Sequence, residues 1–190
     1  MADAVKHGVV NTESMWAVYN MAGMRSFVYV EEGTEDGKTV YTNPDIDNGH
    51  VVELKLPMID RDVWTAVKPT AKTPLENLAL VATPEVMYDE RLSKYTWQYY
   101  NIGLNKPSTT LEYTEPISGP TFHANDIFSV SLEALDTALT KIVPGNTVEL
   151  QADTKLKVVA TATAGATKIG TVIDVVERKD GTFIGIQVVG

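Results

Sequence analysis

Apolar and polar residues alternate with a period of two along most of the chain, which is the pattern of half-buried β-strands. The pattern begins at Phe27 and predicts a strand at 27–30. A second strand is predicted at 39–41, and the polar residues 31–37 between the two predict a hairpin with a long acidic loop. Further strands are predicted at 50–56, 63–67, 78–82 and 126–130.

Asx-Gly steps mark two of the turns. The Asn48-Gly49 step suits positive φ angles, so residues 43–49 are predicted to form a turn. The Asp180-Gly181 step is typical of the tip of a tight β-hairpin. Four short apolar runs occupy the C-terminal part, at 147–151, 155–161, 168–177 and 182–189. Short strands at this spacing predict a small, compact β-barrel there.

Helical structure is predicted at two places and is short in both. Thr83 and Pro84 resemble a helix start, with threonine as the cap and proline at the first helical position. The residues that follow, through Trp97, fit either one or two helical turns or extended structure. Ser131 is predicted to cap a second short helix that runs through Leu139.

The first 25 residues differ from the rest, because methionine and aromatic residues crowd positions 15–24 without forming one amphipathic stripe. Such a segment either packs in the protein's own core or lies as an arm on a neighbouring subunit, since methionine adapts to irregular surfaces. The predicted fold is mainly β, built of small β-barrel or sandwich modules with one or two short helices. It divides into an N-terminal extended arm (1–25), a β-rich lobe (26–120) and a C-terminal small β-barrel lobe (121–190), unless the lobes form one continuous domain.

Composition describes an ordinary globular chain and excludes several functions. Of the 190 residues, 44% are hydrophobic and 22% are charged. The formal net charge of −9 is opposite to the basic stripe that binding to nucleic acid or to anionic membranes requires. The absence of cysteine excludes disulfides and thiolate chemistry and fits synthesis in a reducing cytoplasm. Neither a transmembrane run of about 20 apolar residues nor a signal peptide is found.

Motifs for catalysis or for cofactor binding are missing. No G-x-S-x-G is present, and none of the three histidines lies in a motif. The Asp45–Gly49 turn invites comparison with a calcium loop, but His50 and Leu56 stand where such a loop needs glycine and glutamate. The carboxylate pairs Asp60/Asp62 and Asp89/Glu90 are the kind usually found solvated. We therefore predict a protein that is not an enzyme, with no catalytic residues, no metal and no cofactor.

The order of several segments resembles a known family. The segments are the strand after Asp47-Asn48-Gly49, then Leu80–Glu90 (LVATPEVMYDE), and then Asp126–Ser131 (DIFSVS) leading into a leucine-containing stretch before a small β module. Over roughly residues 45–135 this order is similar to head decoration (auxiliary capsid) proteins of tailed bacteriophages. The resemblance implies a structural virion protein, made in the bacterial cytoplasm, that binds the major capsid protein on the capsid exterior, often as a trimer.

The candidate contact residues are methionine and aromatic side chains, which are enriched at the cores of protein interfaces. Those of the arm are Met15, Trp16, Tyr19 and Met24, and those outside it are Trp64, Trp97 and Tyr99. All of them fit core packing as well. Two other functions remain open: a tail tube or head-completion protein, which is also β-rich, and a carbohydrate-binding module that stacks tryptophans on sugars.

Overall fold

The computed structural model describes residues 8, 10, 23–60, 62–83, 87–89, 94–96, 116–179 and 181–189. Within these residues the chain forms fifteen β-strands and two 3-10 helices of three residues. The strands are β1 Met24–Tyr29, β2 Glu31–Glu35, β3 Lys38–Thr42, β4 Val51–Asp60, β5 Val63–Val67, β6 Leu78–Leu80, β7 Met87–Asp89, β8 Lys94–Thr96, β9 Ile117–Pro120, β10 Ile127–Ser131, β11 Leu135–Thr137, β12 Thr147–Glu149, β13 Leu156–Val159, β14 Lys168–Arg178 and β15 Gly181–Val188. The 3-10 helices are Leu75–Asn77 and Leu132–Ala134.

The first lobe is a five-stranded sheet in the order β6-β4-β5-β1-β9. β1 runs parallel to β5 and antiparallel to β9, and β4 pairs antiparallel with both β5 and β6. The two edges of the sheet meet, because Ala79 forms a bridge with Thr121 and the N–H of Ala82 donates to the carbonyl of Ser118 at 3.0 Å. The sheet is thus a nearly closed barrel.

Alternate residues of these strands fill the inside of the first lobe. Phe27, Tyr29, Val52 and Ala66 are buried there, and Trp64 packs against them from a half-buried position. The small alanine suits a narrow barrel, in which the interior is filled by side chains alone. The period-two pattern of the sequence therefore marks the inward-facing positions correctly.

The second lobe is a six-stranded half-barrel in the order β10-β15-β14-β12-β13-β11. Its longest pairing is the β14–β15 hairpin, which turns through two residues between Arg178 and Gly181. β11 and β13 are parallel, whereas the other neighbours are antiparallel. The predicted Asp180-Gly181 hairpin and the four C-terminal strands are confirmed.

One apolar cluster joins the two lobes. Val51, Leu78 and Leu80 of the first lobe belong to the same buried cluster as Phe128 and Ile184 of the second. These side chains face away from the interior of the first lobe, because successive residues of a strand point to opposite faces. The half-barrel therefore covers its apolar face with the outer wall of its neighbour.

The predicted hairpin between strands 27–30 and 39–41 is wrong. Residues 31–35, expected to be loop, form β2 and pair with β3, while β1 pairs with β5 and β9. The turn is the two-residue step Asp36-Gly37, with φ angles of 50° and 75°. Both residues have the positive φ that a tight hairpin turn of this kind needs.

The predicted helix from Ser131 through Leu139 is also wrong. The chain makes a single 3-10 turn at Leu132–Ala134 and continues as strand β11 at Leu135–Thr137. Ser131 forms no side-chain cap and belongs to β10, where it pairs with Phe183. Of the apolar residues at helical spacing, Ala134 and Leu135 are buried in the shared cluster, Leu139 packs against it, and Leu132 is exposed. Burial rather than helix formation therefore explains the positions of most of them.

The other helix prediction is partly described. Thr83 is buried, and Pro84 lies outside the described residues. Farther along, β7 and β8 form a separate antiparallel pair, which favours the extended alternative for that stretch. The mainly β fold with barrel-like lobes is confirmed. Among the described residues, no helix has the length and apolar character needed to cross a membrane.

Parts of the predicted arm lie against the body. Val10 is buried in the shared apolar cluster and forms a bridge with Val130. The N–H of Gly8 donates to Asp47 Oδ2 at 3.1 Å. At the other end of the predicted arm, Met24 is the first residue of β1. Residues 1–7, 9 and 11–22 lie outside the described part of the chain.

Candidate functional site

Two of the seven predicted contact residues are described by the structure. Met24 pairs with Pro120 at the start of β1 and is 44% exposed. Trp64 is half-buried and packs against the interior of the first lobe. The other five lie outside the described residues: Met15, Trp16, Tyr19, Trp97 and Tyr99.

The most exposed large apolar side chain in the described residues was not predicted. Leu56 is 72% exposed, although strict alternation from Leu54 would place it on the inner face. The register of β4 on β5 shifts between Lys55 and Asp60, which breaks the alternation after Lys55. A single exposed leucine is ordinary on a protein surface and does not by itself define a contact site.

The β2–β3 pair, residues 31–42, is the element that stands out from the body, and we call it the acidic ribbon. Residues 32–39 are exposed on both faces of the ribbon. It pairs with no third strand among the described residues. Four carboxylates and one lysine give it a formal charge of −3: Glu31, Glu32, Glu35, Asp36 and Lys38.

The base of the acidic ribbon is fixed to the first lobe. The hydroxyl of Tyr29 donates to Glu31 Oε1 at 2.8 Å, and Lys68 Nζ lies 3.4 Å from the same oxygen. Burial, and then the bond to Glu31, raise the pKa of Tyr29 well above its ordinary value, so this hydroxyl keeps its proton and stays a donor. Asn43 Nδ2 also donates to the carbonyl of Tyr29 at 3.0 Å. The acidic ribbon therefore has a fixed base and an exposed tip.

The Asp45–Gly49 turn, which was compared with a calcium loop, forms hydrogen bonds to other segments of the chain. Asp47 accepts from the N–H of Gly8, as described above. Asn48 exchanges two bonds with the backbone of Thr83, donating to its carbonyl at 3.3 Å and accepting from its N–H at 3.0 Å. Gly49 has a φ of 88°, which confirms the positive φ predicted for the Asn-Gly step. These side chains fasten distant segments to one turn.

His50 follows this turn and faces the second lobe. Its Nδ1 lies 3.0 Å from Thr154 Oγ1, and its Nε2 is buried without a hydrogen-bond partner among the described residues. Burial lowers the pKa of His50, Asp47 opposes that shift, and Lys155 adds to it. Within the described part of the chain no carboxylate bonds Nε2, so this imidazole and hydroxyl lack the order of a catalytic triad there.

The remaining candidates for chemistry do not converge. His123 lies 3.5 Å from Asp126, whose Oδ2 also accepts from the N–H of His123, as in a braced surface turn. No group of three or more possible metal ligands occurs within the described residues. Asp62 is exposed, while the side chains of Asp60, Asp89 and Glu90 are not described. Within the described residues these groups therefore do not come together at one place.

Comparison with known proteins adds no relationship. No protein-family model matches the sequence, and no curated protein or solved structure shows significant similarity to it.

Proposed function

We propose that the protein is a structural component of a virion that binds the outer surface of an assembled bacteriophage capsid and stabilises it, as a trimer of this chain. The order of sequence motifs over roughly residues 45–135 supports the class of protein. The structural observation that supports the mode of action is the acidic ribbon, an exposed contact element on a rigid β body.

The two-lobed body suits a mechanical role. The lobes share one buried apolar cluster, so a load applied to one lobe reaches the other through packed side chains. A protein that binds only the assembled shell stabilises that shell by mass action, with no reaction needed. Rigidity lowers the conformational entropy lost on binding, which makes more of the contact energy available for the shell.

The acidic ribbon suits a basic patch on the capsid protein. Its charge of −3 attracts a surface of opposite sign and increases the rate of encounter. Each outer edge of the ribbon also carries backbone N–H and C=O groups that pair with no strand among the described residues. Charged side chains on such edges discourage indiscriminate pairing, so the element is selective for a partner that neutralises them.

The test is to mix the purified protein with capsids assembled without it. We expect saturable binding at a fixed stoichiometry, measured by co-sedimentation, and a higher unfolding temperature of the shell, measured by calorimetry. Absence of binding would refute the proposed function. Rings or tubes of the isolated protein in electron micrographs would point instead to a tail or head-completion role.

Charge reversal on the acidic ribbon tests the contact element separately. We expect Glu32→Lys combined with Glu35→Lys to weaken binding at least tenfold, because the attraction to a basic patch becomes repulsion. Glu76→Lys combined with Glu177→Lys makes the same change of charge at exposed positions outside the ribbon and should leave binding nearly unchanged. Equal effects from both pairs would show that only total charge matters and would remove the ribbon from the proposal.

A further inference from the structure

The loop between β12 and β13, residues 150–155, connects the second lobe to the first, and we call it the junction loop. The N–H of Val51, at the start of β4, donates to the carbonyl of Thr154 at 2.7 Å. The hydroxyl of Thr154 lies 3.0 Å from His50 Nδ1. Within the described chain, Thr154 therefore makes both polar contacts of the junction loop with this region: one with Val51 of β4 and one with His50 just before it.

The junction loop is held by bonds within itself and by a bond to β11 of the same lobe. Asp153 Oδ1 accepts from the N–H of Thr154 at 2.7 Å. Gln151 Nε2 donates to Asp136 Oδ2 and to the carbonyl of Lys155, at 2.6 and 3.1 Å. These bonds hold the loop to the second lobe and do not involve β4, so they remain in place when the contact with β4 opens.

His50 is placed where protonation is costly. Because Nε2 has no acceptor among the described residues, the neutral imidazole carries its one hydrogen on Nδ1 and donates it to the Thr154 hydroxyl oxygen. A second proton puts an N–H on Nε2, which is buried and has no acceptor among the described residues. A buried, charged donor without a partner costs more free energy than one neutral hydrogen bond contributes.

Charged groups surround His50 on each element that packs against it. Asp47 lies on the preceding turn, Asp153 and Lys155 on the junction loop, and Asp136 on β11. Three carboxylates against one ammonium favour an imidazolium nearby, yet none of them reaches Nε2 in this arrangement. A displaced junction loop would let the imidazolium approach one of these carboxylates and gain a charge-assisted bond.

We propose that the contact between β4 and the junction loop is an acid-sensitive switch: it is closed while His50 is neutral and opens locally when His50 takes up a proton. Opening frees the backbone N–H of Val51 and separates Thr154 from His50. The shared apolar cluster keeps the lobes together, so the change is confined to the junction loop. This inference does not depend on the proposed capsid role.

The environment of His50 determines the direction in which pH changes the stability of the closed contact. Burial lowers the pKa of His50 below its ordinary value of 6.5 in the closed state, whereas in the open state it returns toward that value. Above pH 6.5 both states are neutral and the closed contact has its full stability. Below pH 6.5 the open state binds the proton more tightly, so the closed contact loses stability as the pH falls toward the lower pKa.

Hydrogen exchange of the Val51 amide, followed by NMR on the full chain, tests the switch. After correction for the intrinsic rate, we expect protection of this amide to fall at least fivefold from pH 7.5 to 5.5. The Val172 amide is the internal reference, because it donates to the carbonyl of Asn146 at 2.9 Å within the second lobe. Its protection should stay constant, and an equal loss at both amides would mean general destabilisation and overturn the proposal.

Two histidine substitutions test whether protonation of His50 causes the loss of protection at the Val51 amide. His50→Asn keeps a polar side chain that can bond Thr154 and cannot be protonated, so the fivefold loss at Val51 should disappear. His123→Asn removes an exposed histidine and should keep the loss. The imidazole signal of His50 in the unsubstituted protein gives a readout that needs no variant. A titration midpoint outside the pH range of the Val51 change would refute the switch.

Discussion

Asn48 holds two distant parts of the chain together with one side chain. It is 1% exposed and forms two hydrogen bonds with the backbone of Thr83, which is 35 residues away. The Asn48-Gly49 signal predicted the turn, and the φ of Gly49 confirms it. The role of the asparagine side chain could not be predicted, because a local pattern contains no information on what the fold brings beside it.

We expect Asn48→Ala to lower the free energy of unfolding by about 2–3 kcal/mol, since a buried N–H and a buried carbonyl each lose a partner. Denaturant titration measures the loss. Asn146→Ala is the matched control, because Asn146 accepts one bond, from the N–H of Val143 in an exposed turn, and should cost about 1 kcal/mol or less. Equal losses from the two substitutions would contradict the importance of burial.

At the scale of single elements, the acidic ribbon shows where alternation fails. A strand reveals itself by alternation when one face is buried, and residues 32–39 have neither face buried. The useful signal was the Asp36-Gly37 step, and the same dipeptide at Asp180-Gly181 predicted the hairpin of β14 and β15. Turn chemistry does not require burial, so it remains informative in exposed hairpins.

Closure of the first lobe depends on a glycine. Gly119 of β9 lies so close to β6 that a Cβ there would overlap the carbonyl oxygen of Leu80. We expect Gly119→Ala to force the two edges apart and to destabilise the protein by roughly 3 kcal/mol or more. Gly33→Ala in the acidic ribbon is the control, because its Cβ would lie 3.5 Å from Val40 Cγ2, an ordinary contact. Thermal unfolding should separate the two variants clearly, and similar melting temperatures would argue against close contact at the edges.

At the scale of the whole molecule, strand order was beyond prediction. β1 pairs in parallel with β5 and antiparallel with β9, although Phe27 and its β9 partner Ile117 are 90 positions apart along the sequence. Alternation specifies which residues are buried but not which strand lies beside them. The same limit applies to the predicted contact residues, because the sequence alone could not show that Trp64 is half-buried against the interior of the first lobe.

The shared apolar cluster predicts that the lobes unfold together. Leu80 is fully buried between them, so Leu80→Ala should lower stability by roughly 2–5 kcal/mol. Amide exchange should show the same loss in β1 of the first lobe and in β15 of the second. Leu56→Ala is the control, because that leucine is mostly exposed. A loss confined to one sheet would show that the lobes are independent units.

Thr83 and Ser118 are bonded neighbours in the first lobe, although 35 positions separate them in the sequence. The N–H of Ala82 donates to the carbonyl of Ser118 at 3.0 Å, and the N–H of Ser118 donates to Thr83 Oγ1 at 3.1 Å. Because these two positions are already bonded, we expect residues 86–114 to behave as an exchangeable cassette. A Gly-Ser linker of about ten residues spans so short a gap at small entropic cost.

Exchange of this cassette should preserve the amide protection of both sheets. A loss of that protection would mean that the cassette contributes to the stability of the two lobes. Trp97 and Tyr99 leave with it. A shortened protein that folds but no longer adheres to its target would therefore locate recognition in the insert. In that case the two lobes are a scaffold, and a different segment inserted between Thr83 and Ser118 would give a different binding specificity.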